Sequence, residues 1–511
     1  MAMRINKLLV IKTAILLAAA LAIVLMVKSE LAQKGVSDVD FMYVTADGQR
    51  INVFSSGGEY YLFLPDYFDE EDLIYSPEAR SHEIKILRSS DIPSVFVTTN
   101  SGSLEKIYAD KDYKERGRVS VMEENGDGTD VIGLEYIKGR GNYSWNNWDK
   151  KSFKLKLSKS ASLLGLGTGK EYALIANASD ATLIRNHIAR GLEIAVGIPF
   201  SSVGRFVDLY VNGDYMGNYY LCDYIDIGKD KIDITNLEEI QTRNLSGINI
   251  SGISLYETPM KKGYNLPDVA DDITGGYLLE REFVDRYRLE YPDMKSGFIT
   301  DENDYFVVKS PKYCSAKEIE YISDVFSRAE EAILAGADYR DYIDERSYAD
   351  RYLVEEVLKN YDGGVSSTYY YKDSDLIDSH IYAGPGWDFD MSLGNYLDWM
   401  EYYGEDAGGI TGLYLSEHSS VIFRELMKYD DFSALVRENY RTYCRPYLEE
   451  LLSKEIDACR DTLKNSAAMD RIRWQSMYEE KGYFAGDEAE YNRLKDFIRE
   501  RMEFLDREWE K

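Results

Sequence analysis

The segment Trp387-Asp388-Phe389-Asp390 places two carboxylates two residues apart, each beside an aromatic side chain. If the segment is a strand, Trp387 and Phe389 point into packing while Asp388 and Asp390 share the opposite face. The two carboxylates then lie about 6.5–7 Å apart along the strand. Like charges on one face are costly unless a cation neutralises them, and hard oxygen ligands suit Mg²⁺ or Mn²⁺. The segment therefore predicts a metal-binding pair; the alternative is a solvated strand edge.

A third carboxylate, Asp362, stands between a predicted helix and the pair Gly363-Gly364, where the backbone can turn sharply. Predicted strands at Ser367–Lys372 and Ser379–Ala383 then form a hairpin that leads back to Asp388. The resulting order is helix, loop aspartate, hairpin and aspartate pair. This order predicts that Asp362 lies near the metal-binding pair.

Protein kinases arrange their catalytic-loop Asp, a hairpin and a metal-binding Asp in that same order. The correspondence is one of order only. Asp390 stands where kinases have Gly, Ser367 stands where they have a metal-binding Asn, and no His-Arg precedes Asp362.

A glycine loop upstream, Lys138-Gly139-Arg140-Gly141-Asn142, joins two predicted strands. Such a loop, with lysines on the strand that follows, can bring backbone amides and cations to phosphate groups. Lys154 and Lys156 share one face of their strand, so one of them can point into a cleft. The alternative is a solvated basic edge. The lysines that follow the loop are Lys150, Lys151, Lys154 and Lys156.

The elements that must position these groups are a mixture of strands and helices. A hairpin is predicted across Asn212-Gly213, and amphipathic helices are predicted over Leu183–Val196, Ala316–Leu334 and Tyr348–Leu358. Further strands are predicted at Val131–Lys138, Ser152–Leu157, Gly276–Glu282 and Tyr305–Lys309. The fold class is therefore α+β.

The composition excludes several classes of protein. With a net charge of −30 over 511 residues, the chain lacks the basic footprint that nucleic-acid binding needs. The cysteines have no zinc-site spacing, and the histidines are too few and scattered for a His-rich metal site or a Ser-His-Asp hydrolase. These residues are Cys222, Cys314, Cys444, Cys459, His82, His187, His380 and His418.

The first 30 residues read as a cytoplasmic tail and a signal-anchor helix. Residues 13–27 form a charge-free apolar run, and Arg4, Lys7 and Lys12 precede its core. Basic residues before the run predict that the N-terminus is inside and the rest of the chain outside. No small-x-small cleavage site follows Val27, which favours a single-pass anchor over a secreted form.

Four regions follow from these patterns. Residues 1–30 are the tail and anchor, 31–98 a linker and small β module, 99–400 the domain that carries the candidate site, and 401–511 a helical C-terminal region. The length of the chain suits more than one domain.

Several of these motifs occur together, and in the same order, in the spore-coat-protein-H (CotH) kinase family, which the sequence resembles over about residues 130–400. The shared motifs are Gly139–Asn142 with Ser144-Trp145, Lys150–Lys154, Leu174–Asn177 with Asp180, Leu183–Asn186, Asp208–Gly217, Gly276–Glu280, Val308–Pro311 and Gly384–Asp390.

The resemblance implies a divergent two-lobed protein-kinase-like domain that uses ATP and Mg²⁺ (or Mn²⁺) to phosphorylate Ser residues of partner proteins. It implies functional roles for Asp362 and Asp388, while Asp390 joins the metal site on strand geometry. Asp362 would orient or deprotonate the acceptor hydroxyl, or share a metal with Asp388 and Asp390. Lys154, with Lys151 second, is expected on the nucleotide side, and Glu280 is a candidate ion partner for that lysine. Arg140 is expected over the phosphates.

Two other functions fit parts of the sequence. The 43 tyrosines, the β module and the outward topology suit a non-catalytic adhesion or structural protein at the cell surface. Metal-dependent hydrolysis by the carboxylates is a third reading, in which the lysines and the glycine loop lack a role. The kinase reading predicts exported or cell-surface proteins with Ser or Thr acceptors as substrates, and no nucleic-acid partner.

Overall fold

A computed structural model of the chain describes residues 42–247, 249, 252–267, 270–292, 294–395, 406–413 and 419–509. The predicted anchor, residues 1–30, lies outside these ranges. Within them, no helix has the length and apolar character needed to cross a bilayer.

The first described region, residues 42–89, forms two three-stranded sheets whose strand orders are β2-β1-β5 and β3-β4-β6. Its apolar side chains pack on barrel residues that include Phe96, Tyr210 and Tyr215. The backbone N–H of Asn52 donates to Gly213 O at 2.9 Å. The strands are β1 Tyr43–Ala46, β2 Gln49–Asn52, β3 Phe54–Ser56, β4 Glu59–Pro65, β5 Ile74–Tyr75 and β6 Ile84–Ser89, with 3₁₀ turns at Glu70–Asp72 and Ala79–Ser81.

A closed barrel follows, with the strand order β10-β11-β13-β12-β7-β8-β9. Its strands are β7 Ser94–Thr99, β8 Glu115–Met122, β9 Ile132–Arg140, β10 Ser152–Ala161, β11 Gly169–Ile175, β12 Arg205–Val211 and β13 Asp214–Asp223. The intervening helices are α1 Glu105–Ala109, α2 Tyr143–Asn147 and α3 Arg185–Val196. Strand β7 pairs in parallel with β12, so the barrel begins upstream of the boundary predicted between residues 98 and 99.

The second large sheet has the order β14-β15-β17-β18-β16-β19-β20. The capping box of Ser315 and Glu318 starts the helix α6, and Gly336, with a φ of 71°, follows its end. The strands are β14 Leu255–Glu257, β15 Lys261–Tyr264, β16 Tyr277–Glu282, β17 Gly297–Ile299, β18 Tyr305–Ser310, β19 Thr368–Lys372 and β20 Ile381–Ala383. The helices are α4 Leu237–Asn244, α5 Val284–Glu290, α6 Ala316–Ala335 and α7 Glu345–Leu358, with 3₁₀ turns at Tyr339–Asp341 and Asp362–Gly364.

The C-terminal helices share one continuous apolar core with the barrel and the second sheet. Two buried ion pairs also join them to the rest: Lys150–Asp470 at 2.6 Å and Arg501–Glu356 at 2.8 Å. The helices are α8 Ile422–Leu426, α9 Asp430–Asn439, α10 Arg445–Glu450, α11 Ile456–Arg473, α12 Gln475–Lys481 and α13 Glu488–Trp509, with π-helical turns at Tyr440–Cys444 and Leu451–Glu455.

The mixed α+β character and the helical C-terminal region are confirmed. The hairpin across Asn212-Gly213 is confirmed as β12–β13, and the hairpin that follows Asp362 is confirmed as β19–β20. The second hairpin leads the chain into the loop that carries Asp388.

Candidate functional site

Asp388 lies in a loop, not on a strand, and the predicted strand over residues 387–390 is wrong. Strand β20 ends at Ala383, and Asp388 has a left-handed φ of 60°. The physical reason is that side chains of another element bind the backbone N–H groups of this segment. The N–H of Gly386 donates to Glu193 Oε1 at 2.5 Å, and that of Phe389 donates to Asn186 Oδ1 at 3.2 Å. Because these donors are bound by side chains of α3, they are not available to a strand ladder.

The alternating-face argument therefore does not apply, although both aromatic side chains are buried. Phe389 packs in the main core, whereas Trp387 belongs to a separate cluster around β11, β13 and β19. The two carboxylates, Asp388 and Asp390, nevertheless interact electrostatically. Burial, together with the charge of Asp388, raises the pKa of Asp390 to about 6.

Asp362 opens the 3₁₀ turn that follows α7. Burial, together with the charges of Asp388 and Asp390, raises the pKa of Asp362 well above its usual value. The structure thus brings the three predicted carboxylates within electrostatic range of one another. Ser367, at the position where kinases have Asn, donates a long hydrogen bond of 3.5 Å to Asp388 Oδ2.

Asp390 is held by residues that sequence reasoning did not single out. Ser179 Oγ donates to Asp390 Oδ2 at 2.7 Å, and Asn395 Nδ2 donates to the backbone O of Asp390 at 2.6 Å. The same amide group donates to Ser179 O at 3.0 Å. Ser179 lies just before Asp180 of a shared family motif, which was the available signal.

Helix α3 positions the loop. Arg185 Nε donates to Ser392 O at 3.0 Å, and the Arg185 guanidinium pairs with Asp180. Asn186 is fixed in turn by a 3.0 Å bond to Asn177 Oδ1. Glu193, which binds Gly386, pairs with Arg351 of α7 at 3.0 Å. These buried pairs give the motif residues 177–186 a structural role under the Asp388 loop.

Arg140 reaches the carboxylates from the barrel, where it ends strand β9. Its Nη2 lies 3.0 Å from Asp388 Oδ1, and its Cζ lies 4.6 Å from the centroid of the Trp387 ring. The structure therefore joins the glycine loop and the aspartate loop, which are 248 residues apart in the sequence.

Lys154 and Glu280 do not form the expected ion pair. Lys154 Nζ lies 2.5 Å from Glu171 Oε2, and Glu280 pairs with Lys309 at 2.6 Å. Each pair joins neighbouring strands of one sheet, β10 with β11 and β16 with β18, so each lysine has its carboxylate partner within its own sheet. Burial would raise the pKa of Glu280, but the charges of Lys309 and Arg286 outweigh it and lower that pKa. Lys309 was missed as a functional candidate, although it lies in the shared motif Val308–Pro311.

Tyr224 is a partly buried tyrosine on which the charges of several of these cations act together. Lys154 Nζ lies 3.5 Å from the centroid of its ring, and the ring of Trp387 contacts it edge-on at 5.5 Å. Burial would raise the pKa of Tyr224, but the charges of Lys154, Lys309 and Arg140 outweigh it and lower that pKa. No sequence signal distinguished Tyr224 from the other tyrosines.

Lys151, the second-choice lysine, is occupied elsewhere. Its ammonium donates to the backbone carbonyls of Trp145 and Trp148 at the end of α2, and burial lowers its pKa. These contacts stabilise the chain between α2 and β10 and give Lys151 a structural role.

The donors at this site suit a hard divalent cation, because Mg²⁺ and Mn²⁺ prefer carboxylate oxygens. A bound cation would also relieve the repulsion that raises the pKa values of Asp362 and Asp390. Across the described ranges, no three His, Cys, Asp or Glu side chains already stand in ligand geometry. Asp388 and Asp390 are the residues that would hold the cation, with Asp362 within electrostatic range.

Comparison with known proteins gives one family. The profile described as CotH kinase protein matches residues 137–505, and no curated protein matches the sequence significantly. The matched range includes every candidate site residue and most of the C-terminal helices. These helices lie beyond the range over which the sequence motifs resemble the family. The chain belongs to the CotH kinase protein family.

Proposed function

We propose that this protein transfers the γ-phosphoryl group of ATP to Ser or Thr hydroxyls of exported or cell-surface proteins. The observation that carries the proposal is the contact of the barrel residue Arg140 with Asp388, within a chain of the CotH kinase family. Arg140 stacks on Trp387, whose ring contacts Tyr224, and Lys154 lies over the Tyr224 ring at 3.5 Å. The barrel supplies Arg140 and Lys154, and the second sheet and its loops supply the rest. This division supports a divergent two-lobed kinase-like domain.

The cations have a defined role in this mechanism. Arg140, Lys154 and Lys309 come from three different strands and would neutralise the triphosphate. Their charges already lower the pKa of Tyr224, which indicates a positive potential at this point. A triphosphate carries several negative charges, so this potential favours its binding.

The three carboxylates have two different roles in this mechanism, metal binding and orientation of the acceptor hydroxyl. Mg²⁺ or Mn²⁺ held by Asp388 and Asp390 would supply charge neutralisation at phosphate oxygens. Asp362 orients the acceptor hydroxyl and takes its proton as the bond from the acceptor oxygen to the γ-phosphorus forms. The bond from that phosphorus to the bridging oxygen breaks, and ADP leaves. Catalysis then rests on positioning and electrostatics.

The site of action is part of the proposal. A signal-anchor within residues 1–30 would hold the catalytic domain outside the membrane. Acceptor proteins would then be exported or surface-bound, and nucleic acid would not be a partner of a chain with a net charge of −30.

The test is phosphoryl transfer from γ-labelled ATP by the purified full-length chain to a fraction of exported proteins, with labelled Ser and Thr mapped by mass spectrometry. Asp362→Asn should abolish labelling while the variant unfolds at the same denaturant concentration. Asp301→Asn, an exposed acid in a turn, is the matched control and should label normally. Wild-type labelling by Asp362→Asn would remove Asp362 from the mechanism.

A further inference from the structure

The side chain of Arg140 carries its charge largely out of water. It is 13% exposed, and its anionic partner Asp388 is 36% exposed. A guanidinium in such a place requires a counter-charge, and Asp388 supplies it at 3.0 Å. The carboxylate that would hold the divalent cation is therefore already neutralised by an arginine.

The other contact of Arg140 does not depend on Asp388. The indole of Trp387 contacts two guanidinium groups, with Arg140 Cζ at 4.6 Å and Arg190 Cζ at 4.9 Å from its centroid. Stacking on an aromatic face is attractive without fixing the guanidinium to one anion. Trp387 can therefore keep the Arg140 guanidinium in place while the N–H groups of Arg140 turn from Asp388 to a different anion.

A competing anion is favoured next to the Trp387 ring on which Arg140 stacks. The Trp387 ring contacts Tyr224 at 5.5 Å, and Lys154 Nζ lies 3.5 Å from the centroid of the Tyr224 ring. The charge of Lys309 also acts on Tyr224, since it helps to lower the pKa of that hydroxyl. An anionic ligand drawn to these cations would meet the N–H groups of Arg140 as well, because Arg140 belongs to the same group of charges.

We propose that Arg140 and the divalent cation compete for Asp388, and that Arg140 transfers from Asp388 to the phosphates when nucleotide binds. This inference rests on the proposed function and adds a regulation of the same site. Without nucleotide, the ion pair keeps cation affinity low; with nucleotide, Asp388 is released to the cation. Cation and nucleotide binding are thereby coupled through one side chain.

The experiment measures two affinities of the full-length chain by calorimetry. Arg140→Gln should bind Mn²⁺, without nucleotide, about tenfold more tightly than the wild type, because one charge-assisted hydrogen bond no longer competes for Asp388. The same variant should bind ATP, in EDTA, about tenfold more weakly, because a phosphate contact is lost. A residue with a merely structural role would not move the two affinities in opposite directions.

Arg190→Gln is the matched control, since it removes the same charge from a second position against the same indole. It should leave the Mn²⁺ affinity within about twofold of the wild type, because Arg190 donates to Ser202 O at 3.1 Å and has no hydrogen bond to Asp388 among the described residues. Arg140→Lys, which keeps the charge, serves if Arg140→Gln does not fold, and it should shift both affinities in the same directions by less.

The measured affinities distinguish a failure of the competition for Asp388 from a failure of the proposed function. Unchanged or weaker Mn²⁺ binding by both Arg140 variants, with a wild type that binds Mn²⁺ and ATP, overturns the competition and leaves the proposed function standing. An equal gain of Mn²⁺ affinity in Arg190→Gln also overturns it. A folded wild type that binds neither ligand overturns the proposed function itself.

Discussion

At the scale of single residues, the site depends on which charges neutralise each other. Glu280 is 6% exposed and pairs with Lys309, not with Lys154. The sequence does not reveal this, because several lysines have suitable spacing and the choice depends on the registry of strands β16 and β18. The motifs were sufficient to single out Glu280 and Lys154 as candidates, but not to predict which charge each of them pairs with.

Lys309→Met should destabilise the protein by about 3–5 kcal/mol, because it removes the ion-pair partner of the buried Glu280 carboxylate. Adding Glu280→Gln should recover most of that loss. Urea unfolding measures both changes, with the exposed Lys312→Met as the control. If Lys309→Met alone were as stable as the wild type, the ion pair with Lys309 would not be what stabilises the buried Glu280 carboxylate.

His187 should make stability depend on pH. It lies on α3 beside Phe206 and Tyr220, and burial lowers its pKa from 6.5 to about 4. Between these values the unfolded chain binds the extra proton, so the contribution is complete above pH 6.5 and is lost as the pH falls toward 4. From about pH 7.5 to 4.5, the wild type should lose about 2–3 kcal/mol more than His187→Gln. Parallel losses in urea unfolding would contradict this assignment.

At the scale of elements, helix α3 determines the shape of the Asp388 loop. Local signals were sufficient to predict the helix, the Asn212-Gly213 hairpin and the β19–β20 hairpin, because turn residues and apolar spacing are local. They were not sufficient for residues 387–390. Those backbone donors bind Asn186 and Glu193, about 200 positions upstream in the chain, and only the assembled fold brings them together.

Asn186→Ala should reduce kcat about tenfold to a hundredfold with a smaller change in KM for ATP, because the Asp388 loop loses the partner of the Phe389 N–H. Its cost in stability should be only about 1–2 kcal/mol. Hydrogen exchange at Phe389 should become faster than in the wild type. Asn147→Ala, which removes an exposed amide at the end of α2, is the control and should leave all three quantities unchanged.

At the scale of the whole molecule, the C-terminal helices are part of the fold that carries the site. Glu356 of α7 lies on the helix that leads to Asp362, and Arg501 of α13 pairs with it at 2.8 Å. The same guanidinium donates to Ala407 O at 3.0 Å and Gly409 O at 2.7 Å. The sequence predicted the helices from their periodicity but not their docking, which buried charges from distant elements determine.

Arg501→Ala should destabilise the protein by about 3–5 kcal/mol, because it leaves Glu356 buried without its counter-charge. Arg499→Ala, on the same helix but paired only with the exposed Asp496 among the contacts of the described residues, should change stability by less than about 0.5 kcal/mol. Thermal and urea unfolding distinguish the two variants. Equal stabilities would mean that α13 is not coupled to α7 through this pair.

The central claim is that the barrel cations and the loop carboxylates form one nucleotide site. Calorimetric titration of ATP into the full-length chain, with and without Mg²⁺, tests it most directly. The account predicts saturable one-to-one binding that Mg²⁺ strengthens in the wild type but not in Asp388→Asn. A folded wild type that gives no binding heat under either condition, or a Mg²⁺ effect that survives Asp388→Asn, would contradict it.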